Sequence, residues 1–248
     1  MIPKKIHFTY GLTENFAEKP FSFFHYVAVA SAKKCNNCEV LLHVKHVPRN
    51  NEWWEKTTEL VTMVPVDVVP DKIYGKDIFY PEHRSDILRY QILQQYGGIY
   101  LDIDTICHKP FDDLLEYDFV LGIEEYNRMV IGLCNAVILS SPNNGFLQKW
   151  YEAYKDYDPR IWDQMSVRKP YELSSYYPTE IHIEPSHSFF RFDWINVIKI
   201  FMKENIKFTG YVIHLWESKL YDPLLRHITL QDVMTRDCLY NSIARQYV

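Results

Sequence analysis

The sequence predicts an α/β protein with a mostly parallel central sheet flanked by helices. Short runs rich in β-branched and aromatic residues alternate along the chain with longer amphipathic runs, which is typical of parallel strands joined by crossover helices. The 248 residues include 47% hydrophobic side chains, enough for a large core, and no linker, charge block or repeat divides them. We therefore expect a single domain over residues 1–248, with a helical and loop-rich C-terminal elaboration from about residue 140.

Strands and helices alternate in the first part of the chain. The predicted strands have alternating or continuous apolar residues, and they cover residues 4–10, 39–46 and 64–69. The predicted helices between them are a buried one and one with an asparagine N-cap, and they cover residues 21–34 and 50–61.

A third helix is predicted over residues 83–96, and it ends at Gly97-Gly98 because glycine adopts the left-handed conformation at a C-cap. Ser85 is a plausible N-cap or part of the first turn. Asp86 and Arg89 are three residues apart and should project together near the edge of the buried face. That face is expected to contain Leu88, Ile92 and Tyr96.

The strand after the glycine pair ends in Asp102-Ile103-Asp104. Because side chains alternate along a strand, Ile99, Leu101 and Ile103 are expected to enter the core. Tyr100, Asp102 and Asp104 would then share the opposite face. Two carboxylates at a strand end suit Mg²⁺ or Mn²⁺, ions that proteins commonly bind through carboxylates together with substrate phosphates. This arrangement points to a nucleotide-type substrate.

The rest of the chain continues the same alternation. Further strands are expected at residues 118–124, 130–141, 180–184 and 211–218, and helices at residues 146–157 and 193–205. Residues 157–178 and 216–228 are expected to be loops, either lids over the sheet or irregular surface packing. Ligands of such folds bind at the carboxyl ends of the strands, where Asp102 and Asp104 lie.

SDILRY followed by YGGIYLDID, within residues 85–104, resembles the signature of the DXD-containing glycosyltransferases with a sugar-binding region. This family includes the yeast initiating α1,6-mannosyltransferase, the α1,4-galactosyltransferases and bacterial capsular polysaccharide enzymes, and it is similar to the clostridial glucosylating toxins. The resemblance implies the GT-A nucleotide-sugar-binding fold, a Mn²⁺ or Mg²⁺ cofactor and a nucleotide-sugar donor. It also implies transfer with retention of anomeric configuration.

Three other segments, IPKKIHFTYG, GLCNAVILSSPNNGFLQKW and VIHLWES, resemble further parts of the family pattern. The metal ligands implied by the resemblance are Asp102, Asp104 and His214, with Asp104 binding directly and Asp102 acting through water or the ribose hydroxyls. Tyr10 would stack on the nucleotide base, and Asn135 would face the reaction centre together with Asp86 and Arg89. The full set expected to bind the donor is His7, Tyr10, Asp86, Arg89, Tyr100, Asp102, Trp216 and Ser218.

The function expected from this resemblance is transfer of a hexose from a nucleotide sugar, most simply a UDP-sugar, to a saccharide or lipid-linked glycan. No carboxylate nucleophile is evident in the sequence, which favours front-face substitution. A net charge of −5 provides no electrostatic footprint for nucleic acid. Two alternatives stay open: a metal-dependent nucleotide-sugar or phosphoester hydrolase, and an inactive carbohydrate-binding relative.

Two smaller features also have two interpretations each. Glu124 and Glu125 could contact the acceptor, or they could be solvated. The Cys35-x-x-Cys38 pair with nearby histidines at 43 and 46 could bind zinc, but residues three apart on a strand face opposite ways. Reduced thiols at a helix-to-strand turn are the favoured interpretation.

The location expected from the sequence is cytoplasmic, with membrane association through the acceptor. The N-terminal segment MIPKKIHFTYG has no apolar signal-peptide core, and no run of 18 apolar residues occurs. Five cysteines, an odd number, argue against a secreted disulfide framework. We expect a bacterial or viral enzyme of surface polysaccharide or capsule biosynthesis.

Overall fold

A seven-stranded β-sheet forms the centre of the protein, and the computed structural model describes residues 1–202 and 205–248. The strands are β1 (Lys5–Tyr10), β2 (Glu39–Val44), β3 (Thr62–Pro65), β4 (Lys72–Ile73), β5 (Lys76–Asp77), β6 (Gly98–Leu101), β7 (Thr105–Cys107), β8 (Phe119–Tyr126), β9 (Met129–Ser140), β10 (His182–Glu184) and β11 (Val212–His214). The helices are α1 (Phe23–Asn36), α2 (Glu52–Thr58), α3 (Pro81–Tyr96), α4 (Gly145–Glu152), α5 (Lys169–Tyr176), α6 (Ser186–Phe189), α7 (Glu217–Leu220), α8 (Leu230–Thr235) and α9 (Leu239–Ala244).

The strand order in the central sheet is β10-β8-β9-β6-β1-β2-β3. All neighbouring strands are parallel except β9, which runs antiparallel to both β8 and β6. Two small antiparallel pairs, β4 with β5 and β7 with β11, lie outside this sheet. The predicted mostly parallel α/β sheet is therefore confirmed.

Helices cover both faces of the sheet. On one face, α1 and α2 pack on apolar side chains of β1, β2 and β6, among them Phe8 and Leu101. On the other face, α3 and α4 pack on Tyr100 and on β8 and β9. The C-terminal helices α8 and α9 form a further core against α1. None of the helices in the described part of the chain has both the length and the apolar character that crossing a bilayer requires.

Helix α3 and the glycine pair after it position the DXD segment. The helix begins with Pro81 in its first turn, so Ser85 lies inside it and is not the N-cap. Gly97 ends the helix with φ of +60° and donates its N–H to the Leu93 carbonyl. Of the predicted stripe, Leu88 and Ile92 are buried, but Tyr96 is 42% exposed because the packed face runs instead through Tyr90 and Leu93.

Several element boundaries differ from the sequence expectation. The third strand is shorter and earlier than residues 64–69, and the helix expected at residues 146–157 is α4, which is capped by Asn144 and ends at Glu152. The loop expected at residues 157–178 contains a π-helical turn, Gln164–Arg168, and α5. The helix expected at residues 193–205 is a 3-10 helix at Val197–Phe201, and residues 203 and 204 lie outside the described residues.

Candidate active site

The two aspartates of the DXD segment lie in a turn and not on a strand. Strand β6 ends at Leu101, and the chain turns through residues 102–104 into β7, where the Thr105 N–H donates to the Asp102 carbonyl at 3.1 Å. The expected strand face shared by Tyr100, Asp102 and Asp104 is therefore wrong, because alternation applies only to extended residues. The tight turn brings the two carboxylates together instead.

Asp102, Asp104 and His214 form a group of candidate metal ligands. Within residues 1–202 and 205–248 this is the one group of three or more such side chains, and its ligand atoms all lie within 4.8 Å of one another. Strand β11 carries His214 to the turn by pairing with β7, and His214 Nε2 lies 3.2 Å from Asp104 Oδ1. Among the described residues, His214 Nδ1 is buried without a hydrogen-bond partner. Two carboxylates and an imidazole with one unpartnered ring nitrogen fit a divalent cation such as Mn²⁺.

The three side chains have different proton affinities. Burial alone would raise the pKa of Asp104, but His214 and the hydrogen bond from the Glu217 N–H (2.7 Å) outweigh it and lower that pKa to about 2. Burial raises the pKa of Asp102 against the opposing effect of Arg89. The charge of Asp104 raises the pKa of His214 although burial acts in the other direction. Asp104 is thus ionised at neutral pH and attracts a cation.

Asp86, Arg89 and Asn135 form a buried hydrogen-bonded cluster beside the DXD turn. Helix α3 places Arg89 Nη2 3.3 Å from Asp86 Oδ1, which confirms the predicted proximity of the pair. Strand β9 adds Asn135, whose side-chain amide donates to Asp86 Oδ1 at 2.7 Å and whose carbonyl accepts from Arg89 Nη1 at 2.8 Å. Arg89 Nη1 also lies 3.0 Å from Asp102 Oδ1. One guanidinium therefore connects this cluster to the candidate metal ligands.

The side chain of Tyr100 packs against this cluster inside the core. It does not reach the cavity that the cluster lines. Its ring is buried, and Arg89 Cζ lies 4.4 Å from the ring centroid. Its hydroxyl donates to Asp102 Oδ1 at 3.0 Å and lies 2.9 Å from Thr9 Oγ1. The expected direct contact with the donor is corrected, because strand alternation directs Tyr100 into the core beneath α3 and it positions Asp102 instead.

A cavity of about 550 Å³ opens at this edge of the sheet, a volume typical of small-molecule sites. All three members of the candidate metal group and all three of the buried cluster line it. Its other walls are aromatic, with Trp162, Trp194 and Trp216. Sequence reasoning missed Trp162 and Trp194. The available signal for Trp162 was its place in the loop expected at residues 157–178, which could form a lid over the sheet. His83 holds the Trp162 segment in place, since its Nε2 lies 3.1 Å from the Trp162 carbonyl oxygen.

His7 lies outside the cavity. It is fully buried, with Nδ1 3.0 Å from His43 Nε2 and Nε2 3.0 Å from the Gly97 carbonyl oxygen. Burial lowers the pKa of His7 to about 3 and that of His43 to about 4, so both rings are neutral at physiological pH. The predicted donor contact of His7 is wrong, because the residue two positions further along β1, Thr9, is the one that reaches the cavity.

Cys35 and Cys38 are free thiols at the end of α1 and just before β2. The ring of His43 pairs with His7 and not with these thiols. In the described part of the chain, neither cysteine belongs to a group of three or more metal-ligating side chains. Reduced thiols at this helix-to-strand turn stay the favoured interpretation.

The segment after β11 lines the cavity through a residue in the left-handed conformation. Strand β11 ends at His214, and Trp216 has φ of +56°, so the strand face expected to hold both residues does not exist. The two rings nevertheless lie 4.3 Å apart, and Trp216 Nε1 donates to the Phe192 carbonyl at 2.9 Å. Trp216 and Ser218 both line the cavity, and their contacts with a donor stay predictions.

Glu217 connects this segment to the N-terminal part of the fold. Its backbone N–H donates to Asp104 Oδ2, and its carboxylate lies 3.2 Å from Nε2 of His25, a fully buried residue in the first turn of α1. Sequence reasoning missed this contact because 192 residues separate the two side chains.

Tyr10 ends β1 at the rim of the cavity. It is 8% exposed, packs nearly parallel to Phe16 at 5.6 Å and donates its hydroxyl to the Lys19 carbonyl at 3.1 Å. Gly11 follows with φ of +63°, and a Cβ there would lie 2.2 Å from the His46 carbonyl oxygen. Tyr10 lines the cavity, and its stacking on a nucleotide base stays a prediction.

The structure separates Glu124 from Glu125. Glu124 is 3% exposed and lines the cavity, whereas Glu125 is half-buried and does not line it. A bulge in the ladder between β8 and β9 falls between the two residues. The extra residue of this bulge, Ile131, belongs to β9, so Glu124 and Glu125 keep the ordinary alternation of strand β8 and point to opposite faces, which explains why one glutamate enters the site and the other does not.

Comparison with known proteins identifies the family that carries this geometry. The family model described as "glycosyltransferase sugar-binding region containing DXD motif" matches residues 25–120. Glucan organizing enzyme 1 of Cryptococcus neoformans var. grubii is 33% identical over 263 residues, covering 100% of this chain and 71% of that protein. The chain belongs to the DXD-containing glycosyltransferase family. The resemblance inferred from the sequence is confirmed.

Two further similarities concern a yeast relative and a solved structure. Mannosyl phosphorylinositol ceramide synthase SUR1 of Saccharomyces cerevisiae is 37% identical over 83 residues, which is 34% of this chain and 20% of that protein. The galactosyltransferase LgtC, solved with donor and acceptor sugar analogs, matches with a TM-score of 0.51 at 14% identity over 98% of this chain and 93% of that chain. The structural likeness confirms the expected GT-A fold. DXD glycosyltransferases of this fold generally use a divalent metal, and the Asp-Asp-His group is the possible site for it here.

Proposed function

We propose that the protein is a metal-dependent, retaining glycosyltransferase that moves a hexose from a nucleotide sugar to a saccharide or lipid-linked glycan. The observation that carries this proposal is the convergence of two side-chain groups on one cavity. One is the Asp102, Asp104 and His214 group, and the other is the cluster around Asp86 and Arg89. A nucleotide sugar needs charge neutralisation at its diphosphate and hydrogen bonds at its sugar hydroxyls.

Each group would have a distinct part in the reaction. Mn²⁺ or Mg²⁺ held by the Asp-Asp-His group would neutralise the charge that develops on the departing diphosphate. Lys19 and Lys219 also line the cavity and would bind phosphate oxygens. Asp86 and Asn135 would orient the hydroxyls of the donor sugar, and Arg89 would hold both of them in position through its contacts.

The stereochemical part of the proposal is retention by front-face substitution. Asp86 is a poor nucleophile because its Oδ1 accepts a hydrogen bond from Asn135 and pairs with Arg89. The acceptor hydroxyl would then attack on the side from which the diphosphate leaves. The aromatic walls of the cavity would exclude water until the acceptor arrives.

The donor and acceptor are proposed by chemical class. We take a UDP-sugar as the first donor to test and GDP-mannose as its comparator. The relatives' names refer to a glucan and to phosphorylinositol ceramide, and we therefore propose a glycan or lipid-linked acceptor. A cytoplasmic protein that meets the membrane through such an acceptor, in the synthesis of a surface polysaccharide or capsule, is part of the same proposal.

A screen of sugar nucleotides by thermal shift, with and without Mn²⁺, tests the proposed function. A Tm increase with a UDP-hexose that depends on Mn²⁺ is expected. A shift with free sugars alone would support the inactive carbohydrate-binding alternative. Rapid cleavage of many nucleotides without any acceptor would support the hydrolase.

The stereochemistry is tested by NMR on slow donor hydrolysis. The sugar released first from an α-linked UDP-hexose should be the α anomer, and initial release of the β anomer would eliminate retention. Calorimetry with UDP and with the intact donor tests Asp86. Replacing Asp86 with Ala should weaken binding of the intact donor much more than binding of UDP, which lacks the sugar hydroxyls.

A further inference from the structure

We infer that Glu124 binds a hydroxyl group of the acceptor saccharide inside the cavity, beside the candidate metal ligands. This inference rests on the proposed function and deepens it, because it assigns the acceptor side of the same site. The first support is an unsatisfied polar atom. Glu124 is 3% exposed, it lines the cavity, and its Oε2 is buried without a hydrogen-bond partner among the described residues.

A buried carboxyl oxygen without a partner is rare in folded proteins and destabilising, because water has been removed and nothing replaces it. Such groups persist where a ligand provides the missing hydrogen bond. Burial also raises the pKa of Glu124, whereas a side-chain hydrogen bond with Cys134 and the nearby His214 oppose that rise. Glu124 and His214, a candidate metal ligand, line the same cavity.

The chain has a local reason for directing Glu124 inward. Glu124 pairs across the hairpin with Gly132, and the ladder bulge lies immediately after this pair. A Cβ on Gly132 would lie 2.4 Å from the Val167 carbonyl oxygen, so the glycine allows the segment of Val167 to close over this part of the hairpin. Glu125, the next residue along the strand, points to the opposite face and does not line the cavity.

The surroundings of Glu124 favour a sugar over a phosphate. A carboxyl group accepts hydrogen bonds from hydroxyls, whereas it repels the phosphate oxygens of the donor. Tyr126, two residues along β8, stacks on Trp194 at 4.7 Å, and Trp162 lines the same cavity with about half of its surface exposed. Aromatic faces of this kind pack against apolar surfaces of ligands. A saccharide, with hydroxyls and apolar ring faces, matches both features.

The inference is tested first by binding, because the acceptor has not been identified. The probes are the methyl glycosides of glucose, galactose and mannose, observed by saturation-transfer NMR with and without UDP and Mn²⁺. At least one probe should bind the wild-type protein, and Glu124→Ala should weaken that binding about tenfold, the effect of one lost hydrogen bond. Glu125→Ala is the matched control and should bind like the wild type. Absence of binding to the wild type, or equal effects of the two substitutions, would overturn the inference.

Kinetics and stability separate acceptor binding from other roles. With a UDP-hexose and a saccharide acceptor, Glu124→Gln should raise the acceptor KM and leave the donor KM and the slow donor hydrolysis unchanged. Its Tm should increase by about 2 to 4 °C, because a neutral amide is less costly to bury than a carboxyl group that has one oxygen without a hydrogen-bond partner. Loss of donor hydrolysis would identify Glu124 as a nucleophile, and a lower Tm would identify it as a structural residue. Either result would overturn the inference. If no nucleotide sugar binds but the methyl glycosides behave as stated, the proposed transferase function fails while the saccharide site at Glu124 stands.

Discussion

Replacing Arg89 with Met should destabilise the protein strongly even though no substrate is present. The guanidinium is buried and lies 3.3 Å from Asp86 Oδ1 and 3.0 Å from Asp102 Oδ1. It also donates to the Asn135 carbonyl at 2.8 Å. Methionine fills part of the volume but removes every one of these contacts, and the buried carboxylate of Asp86 and the partly buried carboxylate of Asp102 are both left without their cationic partner.

The size of the effect follows from the balance between attraction and desolvation. Two unit charges 3.0 Å apart attract by about 5 kcal/mol at an effective dielectric constant near 20, and burial of the ions offsets much of this in the intact protein. Removing one partner leaves the burial penalty of the others uncompensated, which typically costs about 3–5 kcal/mol. We expect a loss of that size in the free energy of unfolding for Arg89→Met.

Urea unfolding at about pH 7 in EDTA measures this loss without interference from a bound metal. The matched control is Arg84→Met on the same helix, where one hydrogen bond to the Ile78 carbonyl at 3.0 Å is removed and about 1 kcal/mol is expected. The double variant Asp86→Asn, Arg89→Met should recover part of the loss, because one of the uncompensated charges is gone. A loss below about 1 kcal/mol for Arg89→Met, or no recovery in the double variant, would refute the reasoning.

Three further predictions concern the metal group, the histidine pair and the glycine after α3. Asp104→Asn should weaken Mn²⁺ binding at least about tenfold by calorimetry, because a charged ligand becomes neutral; unchanged affinity would remove Asp104 from the ligand set. In the folded protein the pKa values of His7 and His43 are about 3 and about 4, so below about pH 6.5 both side chains bind protons in the unfolded chain but not in the folded protein. The free energy of unfolding should therefore decrease as the pH falls. His43→Gln should reduce the slope of that decrease by about 1 kcal/mol per pH unit between about pH 5 and 6, measured by urea unfolding, and an unchanged slope would contradict the neutral pair. Gly98 has φ of +111°, and a Cβ there would lie 2.8 Å from the Lys5 carbonyl oxygen, whereas a Cβ on Gly75 would have no atom within 4 Å. Gly98→Ala should therefore lower Tm far more than Gly75→Ala. Equal decreases in Tm would show that crowding at residue 98 is unimportant.

The sequence alone determined the candidate site wherever the partners are close together in the chain. Asp86 and Arg89 are one helical turn apart, and Asp102 and Asp104 are two residues apart, so local geometry suffices to bring each pair together. The family resemblance added His214, a residue far along the chain that spacing alone could not connect to the aspartates.

The tertiary structure decided which side of each strand faces the cavity and which distant segments meet there. Glu124 and not Glu125 faces the cavity, because neighbouring strand residues alternate and packing decides which of the two faces is lined by the site. Thr9 and not His7 reaches the cavity although both point to the same face of β1, because Thr9 lies nearer the carboxyl end of the strand, where the cavity opens.

The contacts that hold the candidate metal ligands in place depend on the tertiary structure in the same way. The contact between His25 and Glu217 joins residues separated by most of the chain, and the Glu217 N–H in turn holds Asp104. No local pattern in the sequence encodes that contact, because its geometry arises only when α1, β7 and the turn after β11 pack together. The sequence thus determined the chemistry that the site can use, and packing between distant elements determined which atoms of that chemistry face the substrate.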